Sequence, residues 1–279
     1  MEVEPAKPGY TADVDAVEEE LRDLPDMVVA AIGAAHIRVV ACRNSVVDFD
    51  ESLSGVRPTN WPEGSTWDDV PGAYIPARRR IVVATIDVDG ARRVPPYRFG
   101  HGSRSLAVHE ALHGYDFSKK HRLSADEAFR DAWNEDHALL GDFYYQNAEH
   151  GPEESFAESG ARHYGLDQSA ANDWPHLRAF WGQHAGRVFA ESMNVDAPEE
   201  VASDGGRSAS IGWGEARDDG SLVLYLTAHG ADGMVGHGSV TLPAGDAANA
   251  ELSAKLGWSG TGAARVRFNV PPFDDDRVP

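Results

Sequence analysis

The sequence predicts an α+β fold in which a larger part, residues 1–198, precedes a small β-rich appendage, residues 205–279. Two observations indicate this division. Apolar residues recur at helical spacing through much of the first part, whereas short apolar runs bounded by turn residues dominate the second. Between them, residues 194–208 are rich in Asp, Glu, Gly and Ser, which is typical of a linker.

The first elements follow from apolar runs and from the residues that interrupt them. Residues 1–15 are acidic and contain proline, and residues 1–12 are expected to be disordered. A helix is predicted from Val14, is interrupted at Pro25 and restarts as far as Ile32. Turn residues dominate 43–69. Strands are expected where apolar runs lie between turn signals, at 37–41, 73–75 and 80–85.

Further helices are predicted between residues 103 and 193. An apolar segment that lacks proline follows Ser103 and Ser105, either of which could cap a helix. The sequence Ser124-Ala125-Asp126-Glu127 is a capping box and predicts one helix that continues as far as Phe143. Two more helices are expected, at 152–163 and at 174–193.

The appendage shows a hairpin signal at Asp218-Asp219-Gly220, between strands predicted at 210–213 and 222–226. Further strands are expected at 239–242 and 265–270, with a short helix between them at 247–256. His229 and His237 lie in glycine-rich segments and are expected to be solvent-exposed loop histidines. The pattern predicts no catalytic site in the appendage.

Composition limits the partners and the setting. With 45 acidic and 25 basic residues, the formal net charge of −20 argues against nucleic acid and anionic membranes as partners. Cys42 is the single cysteine, so an internal disulfide is excluded and a buried thiol is expected. We expect a soluble protein without membrane insertion or signal peptide, cytoplasmic or delivered by a specialised secretion route. The sequence does not indicate the oligomeric state.

The most informative segment is His109-Glu110-Ala111-Leu112-His113, an H-E-x-x-H motif in a helix-compatible run. Two histidines four residues apart on a helix stand about 40° apart around its axis, one turn displaced. Both imidazoles can therefore reach one zinc ion, while Glu110 lies beside them to hold a water molecule. The motif predicts Zn²⁺ as cofactor and the chemistry of a zinc hydrolase.

Catalytic zinc needs three protein ligands and one open position, so a third ligand must lie elsewhere. The extended motif with Gly and His three and six residues after the second histidine is excluded, because the chain has Asp116 and Lys119 there. His121, His137 and His150 stand among charged residues without a fixed spacing. We expect these three histidines to be solvated.

Two carboxylates are the better candidates for completing the site. Glu154 and Glu158 share one face of a predicted helix, and Ala157, Gly160 and Ala161 are small enough to let that helix approach its neighbour closely. Like charges four residues apart on a helix repel each other. A zinc ion would offset that repulsion, although a solvated acidic face is the alternative.

The motifs H-E-A-L-H-G-Y-D and E-S-F-A-E resemble the pattern of the anthrax lethal factor metalloprotease domain and the Pro-Pro endopeptidases, H-E-x-x-H-x-x-D followed by E-x-x-A-E. The similarity extends over roughly residues 24–193. It implies a zincin-like metalloprotease domain in which His109, His113 and Glu154 bind zinc and Glu110 is the general base. It also implies that Glu158 does not bind the metal itself but contacts and orients a residue that does.

The resemblance further implies that Asp116 braces the motif helix. One position departs from the family pattern, which has an active-site tyrosine seven residues before the ligand glutamate. That position is Asn147 here. Tyr144 or Tyr145 could reach the site instead and stabilise the oxyanion, or both could be core residues that end a helix.

Together these patterns favour a zinc-dependent endopeptidase of the gluzincin type that acts on a protein or peptide, with a toxin or effector role as one hypothesis. An extended substrate could pair with an exposed edge strand, for which residues 80–85 are the candidate. The alternative function is an inactive protease-like scaffold that binds proteins. A purely structural zinc site is disfavoured because closed sites usually have four Cys or His ligands.

Overall fold

The computed structural model describes residues 1–119, 121–145, 150–184, 210–256 and 267–273. Its elements up to the metal-binding motif are β1 (Val3–Pro5), α1 (Thr11–Leu21), α2 (Asp26–Ala34), β2 (Arg38–Arg43), β3 (Gly72–Ile75), β4 (Arg80–Val88) and β5 (Ala91–Arg93). The helices that follow are α3 (Leu106–Phe117), α4 (Glu127–Glu135), α5 (His137–Tyr144), α6 (His150–Tyr164) and α7 (Pro175–His184). The last elements are β6 (Gly212–Ala216), β7 (Leu222–His229), β8 (Val235–Leu242), α8 (Ala247–Lys255) and β9 (Arg267–Val270).

The strands form one mixed sheet in the order β1-β2-β4-β3-β8-β7-β6-β9, with β5 paired to the end of β4. β1, β2 and β4 are parallel, whereas every pairing from β4 through β3 to β9 is antiparallel. The mixture of helices and sheet confirms the predicted α+β class. Residues 80–85, the candidate edge strand, are an internal strand instead, because β4 is paired on both sides by β2 and β3.

The sheet separates two apolar layers. In β2, Val39 and Ala41 face the layer formed with α1, α2, α3 and α6, while Val40 and Cys42 face the opposite layer. This alternation is the period-two pattern of a strand buried on both faces. The second layer contains Trp61 from the long connection between β2 and β3, and the side chains of the C-terminal strands. Cys42 is buried there, as expected.

The amino-terminal residues are ordered and do not form the predicted disordered segment. Val3 pairs with Val39 in a parallel register, and its side chain is buried. The short strand β1 thus occupies the outer edge of β2, an edge that would otherwise present unpaired backbone groups. The predicted helices on either side of Pro25 are confirmed as α1 and α2.

The helix predicted from residue 124 to Phe143 is two helices, α4 and α5, and α5 is itself kinked at Gly141, where φ is 72°. The predicted capping box is wrong. Asp126 is the residue whose side chain accepts the first backbone N–H, from Ala128. The break falls at Asp136, whose buried carboxylate accepts the backbone N–H groups of His176 and Leu177 at the start of α7. A tertiary contact therefore ends α4, which helical periodicity cannot reveal.

The strands after residue 210 do not form a sheet of their own. β8 pairs with β3 in an antiparallel register that sets Gly72 opposite His237 and Tyr74 opposite Val235. The indole N–H of Trp61 donates to the backbone carbonyl of Thr227 in β7. The predicted hairpin is confirmed as β6 and β7, but the C-terminal strands extend the first sheet, in contrast to the expected appendage.

Two expectations lie outside the described residues: the linker at 194–208 and the end of the helix predicted at 174–193. Whether residues 205–279 fold as a unit on their own stays a prediction. Across the described ranges, no helix combines the length and the apolar character that crossing a membrane requires.

Candidate metal centre

Helix α3 carries the H-E-x-x-H motif, and all its residues from Leu106 to Asp116 are buried. Ser105 occupies the predicted cap position, but its hydroxyl donates to Glu20 instead of capping the helix. Gly114 allows α3 to lie directly on β4, because a Cβ atom there would stand 2.7 Å from Ile81 Cδ1. The motif is thus held against the sheet.

Helix α6 brings the two carboxylates to α3. A Cβ atom at Gly160 would stand 2.2 Å from Leu112 Cδ1 and 2.9 Å from Trp181 Cζ2, so the glycine leaves room for these two side chains. Glu154 and Glu158 are both buried and face the motif. The small residues of α6 therefore have the packing role predicted for them.

The three predicted ligands converge. His109 Nε2 lies 3.1 Å from His113 Nε2, and Glu154 carboxylate oxygens lie 3.5 Å from His109 Nε2 and 3.7 Å from His113 Nε2. These separations suit atoms that each stand about 2.0–2.2 Å from one ion, as nitrogen and carboxylate ligands of zinc do. Two ring nitrogens at this distance cannot both carry a proton directed at the other. A shared cation between their lone pairs fits the geometry better.

Glu158 lies behind the His109 ligand. Its Oε2 is 3.4 Å from His109 Nδ1, and its Oε1 accepts a hydrogen bond of 3.0 Å from Arg162 Nε. The contact with Nδ1 is long for a hydrogen bond, and this buried nitrogen has no better partner in the described part of the chain. The carboxylate is placed to orient the imidazole so that Nε2 faces the centre.

Asp116 joins the end of α3 to the next turn. Its two carboxylate oxygens accept hydrogen bonds from the backbone N–H of Ser124, at 2.9 Å, and from the Ser124 hydroxyl, at 2.7 Å. The residue is buried and does not belong to the cluster of ligand atoms. It therefore stands where a brace for the motif helix would stand.

Glu110 projects from α3 beside the ligands. Its Oε1 lies 2.8 Å from His237 Nδ1, while Oε2 is buried and has no hydrogen-bond partner among the described residues. An unpartnered buried carboxylate oxygen is costly, and such atoms mark places where water, an ion or substrate is accommodated.

His237 is the site residue that the sequence did not predict. It lies in β8, is 7% exposed and has its Nε2 2.9 Å from Glu154 Oε2. His109, His113, Glu154 and His237 each offer a ligand atom, all within 4.8 Å of one another. The expectation of a solvent-exposed loop histidine was wrong because β8 begins at Val235, whereas the strand was expected only from residue 239.

The other histidines stay outside the cluster, as expected. His121 and His137 are exposed. His150 and His229 are half-buried, and their rings contact each other at 4.7 Å between centroids. His229 is thus at the end of β7 in a packed environment and is not a solvated loop residue.

Of the two candidate tyrosines, the structure brings Tyr144 to the site. Tyr144 lines a small cavity with His109, Glu154 and His237, and burial raises the pKa of its phenol well above the ordinary value. Tyr145 packs on Trp133 instead and donates its hydroxyl to a neighbouring side chain of α4, so it does not reach the ligands. Asn147 lies outside the described residues.

The carboxylates and imidazoles of the cluster shift one another's pKa values. Burial alone would raise the pKa of Glu154, but the neighbouring imidazoles of His237 and His109 outweigh it and hold the pKa well below the ordinary value. Burial lowers the pKa of His113 well below its ordinary value. Burial alone would also lower the pKa of His109 and of His237, but the neighbouring carboxylates outweigh it and raise both. Zinc binds neutral imidazoles, so these two side chains would lose their protons when a metal binds.

Comparison with known proteins agrees with this arrangement. Residues 5–171 match the family model described as anthrax toxin lethal factor, N- and C-terminal domain. Pro-Pro endopeptidases from Paenibacillus alvei and Clostridioides difficile are each 26% identical over 155 residues, 54% of this chain and 65% of the relative. The chain thus spans less than two thirds of the length of these curated relatives.

A solved structure shares the fold. The Pro-Pro endopeptidase PPEP-2 from Paenibacillus alvei superposes with a TM-score of 0.53 at 24% sequence identity, covering 65% of this chain and 96% of that structure. The family match includes the motif helix and both carboxylates of α6, but ends before β6 to β9. By its matched residues, this chain belongs to the anthrax toxin lethal factor family.

Proposed function

We propose that this protein is a zinc-dependent endopeptidase with a zincin-like fold, in which His109, His113 and Glu154 bind the metal. The observation that supports this most strongly is the convergence of these three buried ligand atoms beside Glu110. When bound, zinc in a three-ligand site lowers the pKa of a coordinated water to about 7 and polarises a carbonyl oxygen.

Glu110 is the proposed general base. Its Oε2 is buried and unpartnered within the described residues, so it is available to accept a proton from the attacking water. The same carboxyl group can then give the proton to the leaving amine. Glu110 is not one of the three proposed ligands, so its role in proton transfer can be separated from metal binding.

Tyr144 is the proposed donor to the oxyanion. Because burial keeps its hydroxyl protonated, the group can donate a hydrogen bond where negative charge develops on the substrate oxygen. Tyr144 would then serve in place of the family tyrosine, whose position is Asn147 here. Glu158 would hold His109 in the ligating orientation.

The relatives' names support peptide bonds as the substrate class. A protein or peptide is therefore the proposed substrate, and the family name makes a toxin or effector role a hypothesis. The shared fold supports the zincin-like architecture. These proposals concern the matched part of the chain, residues 5–171.

The test is cleavage of a peptide library by wild type and by Glu110→Gln at equal zinc content. We expect Glu110→Gln to keep its zinc and fold but to cleave the best peptide at least roughly 10²- to 10⁴-fold more slowly, the usual effect of losing a general acid or base. Glu153→Gln is the control, since Glu153 lies on α6 next to Glu154 but its carboxylate pairs with Arg122 and is not one of the proposed ligands. Undiminished cleavage by Glu110→Gln would contradict the mechanism.

A second candidate function is a protein-binding scaffold that retains the protease fold without activity. The observation that favours it is His237, which contacts both Glu110 and Glu154. Zinc-dependent cleavage by wild type or by His237→Ala would exclude this candidate, whereas absence of cleavage in both would support it.

A further inference from the structure

The C-terminal strand β8 occupies the edge at which an extended peptide would be expected to pair. Among the described residues from 1 to 184, the sheet ends at β3, which pairs with β4 on the side opposite β2. An extended peptide adds to a sheet by backbone pairing along such an edge. Here Val235, Gly236 and His237 take that place, opposite Tyr74, Ala73 and Gly72.

The fit of β8 against β3 is close on both sides of His237. A Cβ atom at Gly236 would stand 2.9 Å from the carbonyl oxygen of Gly72, and one at Gly238 would stand 2.7 Å from the carbonyl oxygen of Asp69. Both positions therefore require glycine for this approach. Between them, the only side chain that β8 presents is that of His237, and it points at the metal ligands.

The contacts of His237 are those of a metal ligand. Its Nδ1 lies 2.8 Å from Glu110 Oε1 and can donate its proton there, which leaves the lone pair of Nε2 facing the other ligand atoms. Histidines that bind metals usually donate their second ring N–H to a carboxylate in this way. Glu110 would supply that carboxylate while β8 is in place.

We propose that β8 is a blocking strand, which pairs along β3 and delivers His237 as the fourth protein ligand of the metal. The inference rests on the proposed function, because it assigns His237 to the fourth coordination position of the metal, which a catalytic zinc keeps open for water or substrate. The cavity at the site has a volume of ≈ 20 Å³, and about 10–15 Å³ is the space that a single water requires. A peptide enters only when His237 leaves.

The first arm of the test counts histidine ligands in the full-length protein. Wild type, His237→Ala and Thr241→Ala are loaded with Co²⁺, and X-ray absorption and the visible spectrum are recorded. Thr241 is the matched control because it is exposed on the same strand. We expect three histidines in wild type and Thr241→Ala but two in His237→Ala, with zinc affinity reduced by about tenfold or more.

The second arm measures access to the metal. Acetohydroxamate, a small metal-binding probe, should change the Co²⁺ spectrum of His237→Ala at lower concentration than that of wild type. Peptide cleavage should accelerate by about tenfold if the blocked form outnumbers the open form by about ten to one. His237→Gln, which keeps a polar side chain, serves as a second variant if His237→Ala fails to fold.

The outcomes separate this inference from the proposed function. Two histidines in wild type, or equal probe binding by wild type and His237→Ala, would overturn the blocking role. Slower cleavage by a folded His237→Ala would also overturn it, since His237 would then assist the reaction. Loss of one histidine and gain of probe binding, without cleavage of any peptide, would support the blocking strand and refute the endopeptidase.

Discussion

His237 Nδ1 lies 2.8 Å from Glu110 Oε1, although the two residues are 127 positions apart in the chain. The contact joins β8 to the middle of α3. The helix α3 lies within the residues that match the family model, whereas β8 lies beyond them. The candidate site therefore combines the family motif with a residue from the C-terminal strands, and its chemistry depends on both parts.

Glu154→Gln should weaken zinc retention more than any change to a supporting carboxylate, because a neutral amide replaces the proposed anionic ligand. Zinc content after dialysis against a chelator measures the effect. Glu153→Gln, one residue away on α6, should behave as wild type. Equal zinc content in wild type and Glu154→Gln would show that another residue is the third protein ligand.

Glu158→Gln should lower zinc affinity by about 10- to 100-fold, since an amide supports the His109 imidazole less well than a carboxylate does. The amide oxygen can still accept the hydrogen bond from Arg162, so we expect the fold to be retained. Competition with a chromophoric chelator gives the affinity. An affinity as low as that of Glu154→Gln would indicate that Glu158 itself is a ligand.

Asp13 offers a test of stability away from the metal. Its buried carboxylate accepts hydrogen bonds from Arg43, Thr85 and Arg92. Burial alone would raise the pKa of Asp13, but these bonds outweigh it and lower the pKa below the ordinary value. Asp13→Asn should therefore reduce the free energy of unfolding at pH 7 by about 1–3 kcal/mol.

The effect of Asp13→Asn should depend on pH in a defined direction. Because the folded pKa is lowered, the stabilisation is present above the ordinary pKa and is lost as the pH falls through the folded value. The difference between wild type and Asp13→Asn in urea unfolding should thus shrink below about pH 4. A difference that grows on acidification would refute this role for the carboxylate.

A chain truncated after Asp196 tests the domain division. The sequence predicts that such a chain stays soluble and keeps zinc, whereas the continuous sheet predicts aggregation or a lower Tm. Truncation would expose the edge of β3 and remove the Thr227 acceptor of the Trp61 indole. Size-exclusion chromatography and thermal unfolding distinguish the two. A soluble monomer with the Tm of wild type would support a separately folding appendage.

Local chemistry in the sequence is enough to predict the motif helix α3 and the helix α6, whereas the meeting of Glu154 with His109 and His113 was implied by the family resemblance. Spacing four residues apart places His109 and His113 on one helix face, and the small residues of α6 indicate close packing against a neighbour. The strands β2, β3, β4 and the hairpin β6–β7 also follow from apolar runs and turn signals.

The missed features depend on contacts between distant segments. Asp136 ends α4 because it binds the start of α7, and periodicity carries no trace of that contact. The pairing of β8 with β3 brings His237 to Glu154, 83 positions away. A histidine between two glycines resembles a loop residue until the strand on its other side is known, so only the fold identifies it as part of the site.

The register between β3 and β8 has a consequence for how faithfully the site forms. A shift of one residue would turn the side chains of β8 to the opposite face. The residues that flank His237 are glycines, so a slipped strand would present no side chain at all to Glu110 and Glu154. A bound metal that His237 ligates would therefore stabilise this register of β8 relative to registers shifted by one residue.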